Sequence, residues 1–91
     1  MASGKYIQVY LDPKQGIMME TIEKTMNIAV DWFRYSDTNW VVYTTSDINK
    51  WHGRLKKFAD PDGNLFICEL NINNRNGWMT KDFWVWLRKD R

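Results

Sequence analysis

Cysteine occurs once in this chain, histidine once and proline twice. The single thiol, Cys68, excludes an intramolecular disulfide and any zinc site built from several cysteines. It lies in the apolar run Leu65-Phe66-Ile67-Cys68, which reads as a buried, inert position. The one histidine, His52, has no spacing relation to Cys68 that would suggest a catalytic pair. No apolar run reaches the roughly 18 residues that a membrane-crossing helix needs. No basic patch followed by an apolar stretch opens the chain, so no secretory signal is read and the expected location is cytoplasmic. A Gly-rich phosphate loop, a nucleophile elbow and a His-Glu-x-x-His pair are all missing, which leaves conventional catalysis without a motif. Excess charge is small as well: 13 basic residues face 11 acidic ones, a net +2. Many nucleic-acid-binding domains are far more basic.

What the chain does have is aromatic surface. Six Trp, four Tyr and four Phe make up 15% of 91 residues. That length is one domain with one modest core. Residues 1–45 carry four basic and five acidic side chains, and residues 46–91 carry nine and six. Any basic surface is therefore expected from the second half.

Residues 1–4 are small and polar and read as a disordered lead-in to a single domain over 5–91. Lys5 to Leu11 reads as a strand, ended by Asp12-Pro13. Gln15 to about Ala29 reads as a helix, because Met18, Ile22, Met26 and Ala29 fall on one face. Val30–Tyr35 and Trp40–Thr45 read as a hairpin around Asp37-Thr38-Asn39. In the second strand Trp40, Val42 and Thr44 share one face, and Val41 and Tyr43 the other.

Ser46 is the expected N-cap of a second helix, in which Ile48, Trp51, His52, Leu55 and Phe58 recur at helical spacing. Asp60-Pro61-Asp62-Gly63 signals a turn. Leu65–Ile72 reads as a mostly covered strand, and Asn71–Gly77 as a polar loop. Thr80 caps a short final helix carrying Phe83, Trp84, Trp86 and Leu87. Arg88, Lys89 and Arg91 follow as solvated cations.

The order β-α-β-β-α-β with an added C-terminal helix predicts an α+β, ferredoxin-like sandwich. Its antiparallel sheet should carry two helices on one face. The other face should be partly open, covered by the last helix or a second copy.

Two surfaces are candidates for binding. Lys50, Arg54, Lys56 and Lys57 lie on the polar side of the second helix, where they are either phosphate contacts or a solvated face. Tyr10, Trp40 and Tyr43 are candidate interface anchors, or platforms for base stacking together with Tyr6. The Lys/Arg-Gly-Phe signature of RNA-recognition domains is missing. Asn71, Asn73, Asn74 and Asn76, with Arg75 among them, form a loop able to hydrogen-bond a ligand or simply face water.

A longer pattern runs from the hairpin onward. Trp32-Phe33-Arg34-Tyr35-Ser36-Asp37-Thr38-Asn39-Trp40-Val41-Val42 precedes Thr44. The basic helix with Leu55, the run Asp62-Gly63-Asn64-Leu65-Phe66, and Gly77-Trp78-Met79 before Phe83-Trp84-Val85-Trp86-Leu87 follow. This order resembles short bacterial proteins of the SinR family. That family is similar to small CRISPR-associated ferredoxin-like nucleases and to VapD-type toxins. The resemblance covers roughly residues 30–90 and implies a homodimer.

In some members it implies nucleic-acid cleavage assisted by Mg²⁺ or Mn²⁺, with an Asp at the end of the first strand as metal ligand and catalytic residue. The matching position is Asp12. The family pattern is aromatic-Asp, whereas this chain reads Tyr10-Leu11-Asp12. One residue is a change of face on a strand, and Asp before Pro also reads as a turn. Two functions follow as expectations. One is a homodimeric, weakly or non-catalytic nuclease-like protein that binds RNA or DNA in a mobile-element, toxin–antitoxin or defence setting. The other is a non-enzymatic module, such as a phage or plasmid protein that binds a host or defence protein.

Overall fold

Alternation along the first segment decides the architecture. Ile7, Val9 and Leu11 are fully buried, while Tyr6, Gln8 and Tyr10 between them face the other way. A strand with two used faces needs cover on both. In the computed structural model, which describes residues 3–91, the elements are β1 (Lys5–Asp12), α1 (Met19–Met26), β2 (Asp31–Ser36), β3 (Asn39–Thr44), α2 (Ile48–Ala59), β4 (Asn64–Leu70) and α3 (Lys81–Leu87). The sheet order is β2-β3-β1-β4, with every adjacent pair antiparallel. β3 therefore lies between β1 and β2, and β1 between β3 and β4. Each β-α-β unit is split by a strand of the other, so the fold is α+β and ferredoxin-like.

α1 and α2 cover one face. Ile22 and Met26 from α1 and Trp51, Leu55 and Phe58 from α2 pack on Ile7, Val9, Leu11, Trp40 and Val42. One polar contact lies inside this core: the Trp51 indole N–H donates to Thr44 Oγ1 at 2.9 Å. The opposite face is half covered by α3. Phe83, Trp86 and Leu87 pack on Val41, with Tyr6, Phe33 and Tyr35 at the margin. Phe33 and Phe83 meet edge to face at 5.6 Å, as do Tyr35 and Phe83 at 5.8 Å. Thr80 caps α3 as expected, its Oγ1 accepting from the Phe83 N–H.

Several expectations are corrected. α1 starts at Met19, not Gln15, because Gly16 has φ +88°, a left-handed conformation that cannot join a right-handed helix. Met18 becomes the extended N-cap and is 61% exposed. The N-cap of α2 is Asp47, whose Oδ1 accepts from the Lys50 N–H at 2.8 Å. Ser46 instead accepts from Arg54 Nη1 at 3.2 Å. His52 falls on the exposed side of α2.

β4 is an edge strand covered on one face only, which leaves Phe66 62% exposed and Cys68 exposed rather than buried. Arg91 is not solvated. Its guanidinium sits 4.5 Å from the Trp86 ring centre and 5.3 Å from that of Tyr43, and donates to Asp31 Oδ2 at 2.9 Å. Of the expected lead-in, residues 1–2 lie outside the described residues, and Gly4 lies against the Tyr43 ring. No helix among the described residues is long and apolar enough to cross a membrane.

Candidate functional site

The half of the sheet that α3 leaves open holds a groove of about 310 Å³. Sheet, helix and connecting loop make it, with Tyr35 of β2 and Val41 of β3 among the lining. β1 supplies Gln8 and β4 supplies Leu70 from the uncovered face. α3 supplies Phe83, Trp84 and Leu87 as one wall. The Asn71–Met79 connection crosses between them and closes the third side. The base is apolar, and the rim carries amides from Asn71, Asn74 and Asn76 and the Arg75 side chain.

A hydrogen-bonded chain fixes the inner wall. Tyr35 Oη donates to Gln8 Oε1 at 2.8 Å, and Gln8 Nε2 donates to Asn39 Oδ1 at 2.9 Å. Amides and phenols held this way present fixed donors and acceptors to a ligand rather than a mobile fringe.

Trp78 lies in the chain between the lining residues Gly77 and Met79, does not itself line the groove, and is 99% exposed. A fully exposed Trp offers a large, rigid, amphipathic contact surface with a free indole N–H. The sequence pattern counted Trp78 only as part of an aromatic motif. The signal that marks it is local: it follows a run of asparagines and precedes an N-cap, where no periodic element can bury it.

The site residues named from sequence separate in space. Trp40 is fully buried under the helices, which removes it as an interface anchor. It faces inward because it shares the Val42 and Thr44 side of β3. Tyr43 is half-buried between Tyr6 and Arg91, with ring centres of the two tyrosines 4.9 Å apart. Tyr10 remains available. It pairs in register with Phe66, and the two form an aromatic step on the open face beyond the groove.

The four cations of α2 lie on the helix layer, on the opposite side of the sheet from Tyr10 and the groove. At 100° per residue, Lys50, Arg54 and Lys57 fall on one flank and Lys56 on the other, beside His52 and Asn49. Arg54 is held by Ser46 and by the Trp51 ring at 4.8 Å. Lys50, Lys56 and Lys57 are exposed, and no carboxylate lies within ion-pair distance of them among the described residues.

Asp12 ends β1 opposite Asn64. Gly63 packs so closely on the Asp12 carbonyl that a Cβ there would clash with it. Asp12 lies four residues along β1 from Gln8, the groove residue on the same strand, or roughly 13 Å away. Among the described residues no three His, Cys, Asp or Glu side chains gather as a metal-holding group. No protein-family model matches this chain, and no curated protein or solved structure matches it either.

Proposed function

We propose that the chain is a non-enzymatic interaction module of the cytoplasm that takes an extended segment of a partner protein in the groove beside α3. The observation that carries this reading is Trp78, fully exposed on the segment that closes one side of an apolar groove with an amide rim. Interface energy concentrates in such aromatic anchors beside apolar pockets. The placement of the four α2 cations across the sheet from Tyr10 and Phe66 supports the same reading, the groove lining itself holding one cation, Arg75. A single nucleic-acid strand uses stacking platforms and backbone contacts along one path. Here Tyr10 and Phe66 lie on one side of the sheet and the α2 cations on the other.

Panning a random peptide library on the immobilised chain tests this. Peptides with an apolar anchor are expected, and Trp78→Ala should weaken them about thirtyfold at unchanged thermal stability. Equal enrichment on the Trp78→Ala protein would sink the reading.

A second reading rests on the Lys50-Arg54-Lys57 flank. Three unpaired or loosely held cations one helical turn apart suit contact with a duplex backbone. Three phosphate contacts correspond to a slope of roughly −3 in log affinity against log salt. The nuclease-like version adds Asp12 as ligand of Mg²⁺ or Mn²⁺, with a second copy needed to complete the site. Cleavage that survives Asp12→Ala would remove that residue from it.

A further inference from the structure

The two edges of the sheet are built differently. β2 carries Asp31 and Arg34, has a bulge between Arg34 and Ser36, and is clamped at Asp31 by Lys89 and Arg91. Charges, bulges and covering side chains are how proteins keep an edge from pairing with another strand. β4 has no bulge in its register and no ion pair clamping it among the described residues. It is seven residues long, Asn-Leu-Phe-Ile-Cys-Glu-Leu, without proline or lysine, and its only charge is Glu69. On its outer side no strand pairs with it among the described residues.

We propose that β4 is a dimerisation edge, at which a second copy of this chain adds its own β4 antiparallel across a two-fold axis at Ile67. This goes beyond the groove reading and stands independently of it. Full overlap of residues 64–70 has its midpoint at Ile67. It sets Leu65 opposite Glu69 of the other copy, Phe66 opposite its Cys68, and forms about six to eight ladder hydrogen bonds. Even-numbered residues meet even-numbered ones, so the open faces of both copies join into one surface.

Charge fits this register. β4 runs antiparallel to α2, and the two join through a tight turn in which the Gly63 N–H donates to the Ala59 carbonyl. Lys56, one turn before Ala59, therefore lies near the level of Leu65, on the α2 flank that faces outward over β4. In the dimer that is the level of the other copy's Glu69. Each Lys56 meets a Glu69, twice by symmetry.

The depression between α2 and β4, lined by Ile48, Asn49, His52, Leu65 and Ile67, is closed by the same feature of the second copy. The arrangement also separates the two Asp12 residues. Three strand spacings across and six residues along put them roughly 24 Å apart, too far to share one metal ion.

Light scattering on the full chain from micromolar to millimolar concentration is the first test, and twice the 11.0 kDa chain mass is expected. Glu69→Lys and Lys56→Glu should each weaken the dimer by about tenfold or more, and the double reversal should restore it. The register has its own test. Phe66→Cys should form a disulfide-linked dimer through Cys68 under a mild oxidant, since those positions oppose each other. The wild-type chain should not, because its two Cys68 Cα atoms lie roughly 8 Å apart, beyond disulfide reach. A monomer throughout overturns the proposal, as does a dimer that ignores both charge reversals or resists the Phe66→Cys cross-link.

Discussion

Thr44 shows how much depends on single atoms here. It is 2% exposed, shares the inward side of β3 with Trp40 and Val42, and accepts the Trp51 indole N–H through Oγ1. The same oxygen accepts from the Ser46 backbone N–H at 3.0 Å. One hydroxyl thus ties the core to the start of α2. Thr44→Val keeps the shape and removes the acceptor, leaving a buried indole donor without its partner. A loss of about 1–3 kcal/mol in denaturant unfolding is expected; an unchanged midpoint would show that Trp51 finds another acceptor. The alternation in Trp40–Thr45 already assigns Thr44 to the Trp40 face. That it meets Trp51, seven residues on, depends on how α2 crosses the sheet, which no local pattern records.

At the scale of elements, caps decide where helices begin. Both Ser46 and Asp47 are competent N-caps, and a pattern reading has no local reason to prefer one. The structure selects Asp47 because Ser46 is drawn away by Arg54, which packs on Trp51. Asp47→Ala should therefore cost about 1 kcal/mol, whereas Ser46→Ala should change stability by less than about 0.5 kcal/mol. Chemical denaturation of the two variants separates them, and a larger loss for Ser46→Ala would reassign the cap. The late start of α1 has a similar origin. Met18 keeps helical spacing with Ile22 and Met26, but Gly16 turns the chain just before it, so its periodicity has no helix to serve.

For the whole molecule, α3 is the piece that makes the sheet two-sided. Phe83, Trp86 and Leu87 cover Val41 and the aromatics around it, at about 1.5–3 kcal/mol for each fully buried side chain. Small domains hold roughly 5–15 kcal/mol in all. Ending the chain after Met79 should leave a protein that binds a hydrophobic dye and melts without a sharp transition. A cooperative, dye-free truncation would mean that the α1–α2 core stands alone. α3 also ties down the C-terminus. Arg91 reaches back over Trp86 to Asp31, so the last residue of the chain helps guard the β2 edge while β4 stays unguarded.

The order of elements, the antiparallel hairpin, the inward side of β3, the Thr80 cap and the amphipathic character of α2 all follow from spacing and residue type. These are consequences of periods of 2 and 3.6 acting over a few neighbours, and the sequence by itself determined them. The exposure of Cys68 and Phe66, the docking of the Arg91 side chain onto Trp86 and Asp31, the isolation of Trp78 and the division of the α2 cations do not follow from any window. An apolar run such as Leu65–Cys68 reads the same whether its strand is central or at an edge. Only the tertiary structure decided that β1 takes the centre, that α3 covers half of one face, and that β4 is left with one covered face and an open edge. The physical reason is that cover comes from elements distant in the chain, and a side chain's environment is set by what packs on it rather than by what precedes it.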